Sequence, residues 1–496
     1  MKSKLIFTVI LLGSILTMGS CNKWLDLEPE DGILKENFWK TKEQIKSAVM
    51  GCYASLLGSP SGGPSPARQF FLWGELRADM LAPSLGISNE ELQVMNMNID
   101  PSNSITDWSS VYETINYCNT VIKFAPGVLD YDQTLSEDQM NAYVAEAEGL
   151  RALMYFYLVR SFGDVPLKLT PTASDDDLVS PAKNTQAEVL AQILKDLSDA
   201  EGKAATTYGD QADDKGRITR YTINAIQADV YLWMDNYQAC ISACDKIINS
   251  HAFGLIPASA AWFNTVYRTG NSNESIFEFQ FYQQKTNPFF DMFGVSDKEF
   301  IAANRVMDDV FTTPADIEPY DIRSDGASVK AEDGTIWKFI GLNATDMVSS
   351  DDSYTHWFVY RYPDILLMKA EAEAWTGQGE DALRLVKLVR DRARALPGTD
   401  EAPDPTDAES VARFILDERA REFMFEGKRW YDVLRYAKRN NYADMDYLLD
   451  MVSNMVPADM VHTTQAKLQD HNSLYFPIYQ KEMQADKNLV QNPFYQ

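Results

Sequence analysis

The chain has 496 residues, 45% of them hydrophobic and 24% charged, which is the composition of a folded globular protein and argues against overall disorder. Its 72 acidic residues outnumber 45 basic ones, giving a net charge of -27. A surface of that sign repels polyanions, which argues against nucleic acid and against electrostatic docking on a membrane.

The N-terminus sets the compartment. Lys2 and Lys4 are followed by an apolar run from Leu5 to Met18, then Gly19, Ser20 and Cys21, after which the chain turns polar. That order reads as a secretory signal peptide over residues 1–20, too short for a comfortable membrane span. Cys21 directly after Gly-Ser resembles a lipobox cysteine, the lipid-modified first residue of a mature chain, with Met18 standing where leucine is usual. The other cysteines, Cys52, Cys118, Cys240 and Cys244, sit in apolar patterns and read as small buried hydrophobes.

Apolar residues recurring at three- and four-residue steps predict helices over Lys42 to Leu57, Asn141 to Phe162 and Thr185 to Ala204, the second stopped by Gly163-Asp164 and Pro166. Two later stretches read as paired helices of the tetratricopeptide kind. The first pair carries Ala225, Ala228 and Leu232, turns at Asp235-Asn236-Tyr237, and continues with Ala239, Ala243 and Ile247. The second runs from Leu366 to Trp375, turns over Gly377 to Gly379, and continues with Ala382, Leu385 and Val389. Small alanines at the crossings allow two helices to approach closely. Between the pairs, roughly 253–352, the chain is rich in Gly, Asn, Asp and Pro, with strand-like runs at Ser275 to Phe281 and Thr335 to Ile340. Long irregular segments on a rigid scaffold are where binding surfaces sit. No Ser/Gly-rich linker divides the chain, so one continuous domain is expected over 21–496, with a helical scaffold at about 38–250 and 360–440.

A search for catalytic patterns returns none. The four histidines, His251, His356, His462 and His471, form no spaced metal motif, and there is no Gly-x-Ser-x-Gly elbow, phosphate loop or dinucleotide fingerprint. No metal or cofactor is therefore expected. Glu418, Arg419, Arg421, Glu422, Glu426 and Arg429 look like an acid/base cluster, yet opposite charges three and four residues apart on one helix are expected to pair with each other. Glu371 and Glu373, two residues apart, point in different directions on a helix and make no carboxylate pair. Carboxylates are too numerous for a count of residues to exclude glycoside hydrolysis.

Several ordered fragments carry a resemblance. They are Cys21, Leu25-Asp26 and Phe38-Trp39; Glu146 to Ala152 and Phe162 to Pro166; Gly216 to Thr219; Arg361-Tyr362; Glu418 to Asp432; and Gln491 to Tyr495. Taken together the chain resembles the SusD-like (RagB/SusD) family of outer-membrane nutrient-binding lipoproteins. The resemblance implies a mostly α-helical fold in which tetratricopeptide-like pairs form a scaffold for an irregular, loop-rich ligand face. It implies binding without turnover, of an extracellular oligosaccharide or polysaccharide. It also implies a lipid anchor in the outer membrane and a SusC-like TonB-dependent transporter as partner. Family members carry ligand contacts on loops that here hold Trp73, Glu75 to Asp79, Asn96 to Asn103, and the aromatic run Phe289, Phe290, Phe293 and Phe300. Asp79 falls where the starch-binding member has an acidic ligand contact, and Phe289, Phe290 and Phe293 are the candidate stacking rings. Ile99-Asp100 stand where that member stacks its sugar on tryptophan, which argues against starch. Trp262 and Trp357 adjoin framework segments and are expected in the core. Two alternatives stay open: the same architecture binding peptides, marked by an aromatic-poor, hydrogen-bonding groove, or a surface glycosidase, marked by a deep cleft with two convergent carboxylates.

Overall fold

The computed structural model of the protein describes residues 38–58, 62–174, 177–311, 321–395 and 402–496; Cys21 and the expected signal peptide lie outside them. The Lys42–Leu57 helix starts at Thr41, whose side chain caps the Gln44 amide while Gln44 reaches back. The central helix, Glu137–Phe162, spans 26 residues and is buried on all sides from Tyr143 to Phe162. It begins a turn earlier than its apolar periodicity suggests, because that first turn is polar and is set by the Ser136 cap. It ends at Gly163, whose φ of 76° suits a residue without a Cβ.

From the central helix the scaffold proceeds as a stack. Gln186–Glu201 packs on it, Arg220–Trp233 packs on Gln186–Glu201, and Tyr237–Ile248 packs back on Arg220–Trp233. The next layer is Tyr362–Trp375, which lies directly against Tyr237–Ile248 although the chain between them is more than a hundred residues long. Gly379–Ala393 and Ala408–Glu422 close the stack. Ala225, Ala228, Ala370 and Ala382 are fully buried at these crossings, as the small side chains predict. One apolar core runs from Ile45 to Leu489, and a second fills the space between Tyr362–Trp375, Gly379–Ala393 and Ala408–Glu422. Trp262 and Trp357 belong to the first, as expected.

Two short antiparallel ladders fix the irregular region to this scaffold. Ser275–Phe279 pairs with Trp357–Arg361, and Leu81–Pro83 pairs with Phe300–Ala302 in the register Leu81↔Ala302. The strand-like run Thr335 to Ile340 is not a strand. Ile336 makes one isolated bridge to Val329, and the amides of Ile340 and Gly341 turn back onto the Trp337 carbonyl.

The charged cluster at 418–429 is structural, but its pairing differs from the expectation. Glu418 and Arg421 pair along the helix, at 2.9 Å, and Glu426 and Arg429 lie beyond the helix end. The remaining partners come from distant segments. Arg361 reaches Glu274 (2.7 Å), Glu422 (2.9 Å) and Glu426 (2.8 Å), and Arg392 reaches Glu274 and Glu422. Arg323 binds Asp321, Glu418 and Glu422, and Lys338 binds Glu426 at 2.9 Å. Burial opposes ionisation of Glu422, but Arg392, Arg361 and Arg323 outweigh it and hold its carboxyl well below the usual carboxylate range. Glu371, likewise, is taken by Arg435 at 2.7 Å.

Candidate functional site

The site grows from the segment that follows the Pro66–Glu75 helix. Glu75, Arg77 and Asp79 are all buried, and each is tied to a different distant element. Glu75 accepts from the Gly427 amide at 2.8 Å, and burial pushes its carboxyl up to about 8. The Arg77 guanidinium lies on the Phe476 ring, 3.8 Å from its centre, and donates to the Leu474 carbonyl. That hold on 474–476 is reinforced by the C-terminus, where Asn492 donates to the Asn472 carbonyl and Gln491 pairs with Ile478.

Asp79 is only 1% exposed, and its carboxylate receives Arg429 through Nε (2.9 Å) and Nη2 (3.2 Å). It also receives Arg305 Nη1. The ladder explains the meeting with Arg305. In the antiparallel register Leu81↔Ala302, residues preceding Leu81 and residues following Ala302 emerge at the same end, and the Ala303 amide continues the pairing onto the Met80 carbonyl. Asp79, expected to touch ligand itself, is thus enclosed between two arginines. Arg305, with 32% of its side chain exposed, is the group that faces solvent.

In front of Arg305 is a cavity of about 820 Å³. Leu81 and Pro83 of the strand, Leu92 and Met95 of the Asn89–Met95 helix, and Met455 and Pro457 form its apolar wall. Asn96, Asn304, Asn454, Arg305, Asp79 and Asp309 supply its polar groups. Among the described residues, none that lines it is aromatic. A wall of aliphatic C–H surface with convergent amides suits a hydroxyl-bearing ligand held by hydrogen bonds, with no ring to stack on.

The aromatic run sits elsewhere. Phe289 and Phe293 are fully buried and stack in the core with Phe339 and Trp357, Phe289 lying 4.3 Å from Phe339. Neither has a face to offer a ligand, so the reading of these two as stacking rings is corrected. Phe290 is only partly buried, packed on the same core and outside the cavity lining. Trp73 and Phe300 are also buried, Trp73 donating to the Ile105 carbonyl. A second, smaller groove of about 420 Å³ does contain Trp108 and Tyr112, but Trp108 is 2% exposed and the Tyr112 hydroxyl is spent on the Pro166 carbonyl. Sequence reasoning missed Arg305, Asn304 and Asn454, which no motif marks.

The stacked-helix scaffold thus carries a polar cavity walled by a strand, a short helix and loops. Residues 321–495 match the SusD family, and residues 23–232 match the family described as starch-binding, associating with the outer membrane. The SusD-like protein P38 of Formosa agariphila is 28% identical over 484 residues, covering 87% of this chain and 91% of that one. The starch-binding protein SusD of Bacteroides thetaiotaomicron is 24% identical over 593 residues, with both chains covered in full (100%). A SusD superfamily crystal structure from Bacteroides vulgatus superposes with a TM-score of 0.75 at 22% identity, covering 92% of this chain and 100% of that one. The chain belongs to the SusD-like family. Members of this family are outer-membrane-associated binding proteins for glycans. Among the described residues no helix is long and apolar enough to cross a membrane.

Proposed function

We propose that the protein captures an extracellular oligosaccharide or polysaccharide in the Arg305 cavity and passes it to a SusC-like TonB-dependent transporter. In this reading residues 1–20 are removed, Cys21 carries the lipid that holds the protein at the outer membrane facing outward, and 21–496 acts as one domain. Family membership supports it, and the observation that carries it is the donor set of the cavity: three asparagine amides and one guanidinium over an aliphatic floor. Hydroxyl-rich ligands are met by such groups. Starch is not the ligand favoured, since no tryptophan stands at Ile99-Asp100 and no ring lines the cavity.

Turnover is disfavoured by the fate of Asp79. Both Asp79 oxygens are engaged by arginines, so Asp79 has no free oxygen to present to a glycosidic bond and makes no catalytic pair with Asp309. The same absence of aromatic lining favours a second reading, in which the cavity takes a peptide. The chain beginning at Asn22 should be titrated against soluble polysaccharides and peptides, with product analysis alongside. Saturable glycan binding, weakened by Asn304→Ala and without released sugar, is expected. Peptide binding alone moves the protein to the second reading, and released sugar overturns both. For the anchor, Cys21→Ala should shift the protein from the membrane to the soluble fraction; unchanged membrane association refutes the tether.

A further inference from the structure

Several buried arginines hold two or more partners, although Arg77, Arg160 and Arg392 also keep a buried Nε without an acceptor. Arg361 and Arg323 each bind three carboxylates, and Arg429 spends its donors on Asp79, Tyr447 and the Leu416 carbonyl. Arg305 differs. A guanidinium has five N–H donors, yet the bonded partner of Arg305 is Asp79 alone, and its Nε is buried with no hydrogen-bond acceptor. Asp309 stands 3.9 Å from that Nε, beyond hydrogen-bond reach, and is 68% exposed at the rim. A further acid near the pair, Asp417, is reached through the Tyr447 hydroxyl. Burial and the neighbouring Arg429 both hold the Arg305 guanidinium below its ordinary value, as befits a cation short of counter-charge.

Resting on the glycan reading above, we propose that this cavity selects an acidic sugar, with the uronate carboxylate or sulfate ester seated on Arg305 and the neighbouring hydroxyls on Asn96, Asn304 and Asn454. The planar guanidinium matches a carboxylate or sulfate in a two-bond arrangement that a neutral hydroxyl cannot provide. The net charge of -27 does not oppose this at contact, since charges farther than about 8 Å are largely screened at physiological ionic strength. It does penalise a polyanion that finds no cation, so the acid must meet Arg305 to stay. Asp309 is the competing group, its contact with Arg305 being long, exposed and easily displaced.

The test uses the chain from Asn22 with homogalacturonan, glucuronoxylan, alginate and carrageenan fragments, each beside its carboxyl-reduced or desulfated counterpart. Neutral starch, galactan, mannan and an acidic peptide complete the set. Wild type should bind at least one acidic glycan about tenfold or more tighter than its neutralised counterpart. Arg305→Gln should erase that preference. Asp309→Asn should tighten acidic ligands several-fold relative to their neutralised counterparts. Preference lost on carboxyl reduction identifies a uronate, and preference lost on desulfation a sulfate; Arg305→Lys should weaken either, because the fork is lost. Asp79 keeps Arg429 in the Arg305 variants, and unchanged thermal unfolding verifies that they are folded. Equal binding of acidic and neutral glycans, or a preference that survives Arg305→Gln, overturns the selectivity and leaves the glycan reading standing. Binding of no glycan at all, or of the acidic peptide alone, overturns the glycan reading and this inference with it.

Discussion

Replacing Arg361 with methionine removes the hub of the buried ionic lattice while keeping most of the side-chain volume. The guanidinium is 1% exposed and serves Glu274, Glu422 and Glu426. Each carboxylate keeps one or more other cations: Arg392 for Glu274, Arg392 and Arg323 for Glu422, and Lys338 for Glu426. The loss is therefore that of one member of a buried network and not of every partner, and costs about 3–5 kcal/mol. Unfolding a chain of this length releases on the order of 1 kcal/mol/K of entropy, so the melting temperature should fall by roughly 4 °C at neutral pH. The pH dependence gives an independent check. The carboxyls of Glu422 and Glu426 are depressed in the folded state, so they contribute stability that is present above their ordinary value of 4.5 and is lost as pH falls below it. Arg361→Met relaxes that depression, so the gap between variant and wild type should narrow on acidification. Scanning fluorimetry from pH 7 to pH 3 reads both effects. A melting temperature within a degree of wild type at pH 7, or a gap that widens in acid, refutes the lattice as a stabilising network.

Glu75→Gln should flatten another pH profile. Its carboxyl is pushed up to about 8, so the wild type loses stability as pH rises from the ordinary value of 4.5 toward 8, and the variant should gain on it steadily over that interval; parallel curves would refute a protonated Glu75. Gly74→Ala should not accumulate as folded protein, because a Cβ there would lie 1.9 Å from the Gly427 carbonyl oxygen; a soluble variant with wild-type melting would show that this approach is looser than described. Phe289→Ala should cost about 3–5 kcal/mol of stability and leave ligand affinity of the folded fraction unchanged, whereas Asn304→Ala should do the reverse. Calorimetric titration of both variants separates core from site, and a drop in affinity for Phe289→Ala alone would reverse the assignment.

The scaffold was readable where local chemistry repeats what packing requires. Thr41 and Thr185 mark helix starts by their caps, Gly163 marks a stop, and the alanines of the helical pairs mark close crossings. The Trp357–Arg361 strand was not readable, because all five of its residues are buried and no alternation betrays it. The site was readable only as a neighbourhood. Asp79 announces an acid, but not that Arg429, 350 residues away, neutralises it. Arg305 carries no local signal at all, and its position follows from a three-residue ladder joining segments more than two hundred residues apart. Phe289 and Phe293 had a signal that was misweighed: four residues apart on one short helix, they share a face, which suits a core as well as a platform.

The direct contact between Tyr237–Ile248 and Tyr362–Trp375 has an architectural consequence. The intervening segment leaves the spine and rejoins it at adjacent layers, so it is a cassette inserted between two stacked units. A relative's cassette can be spliced into this spine without altering the spacing of the layers. The graft must bring its own equivalents of Glu274, Glu299, Arg305, Arg323, Lys338 and Arg361, because the resident cassette is joined to the helical body through those charges. The Asn304 and Arg305 side of the cavity can thus be exchanged as a module, on condition that the electrical connector travels with it, while Asn96 and Asn454 stay with the recipient.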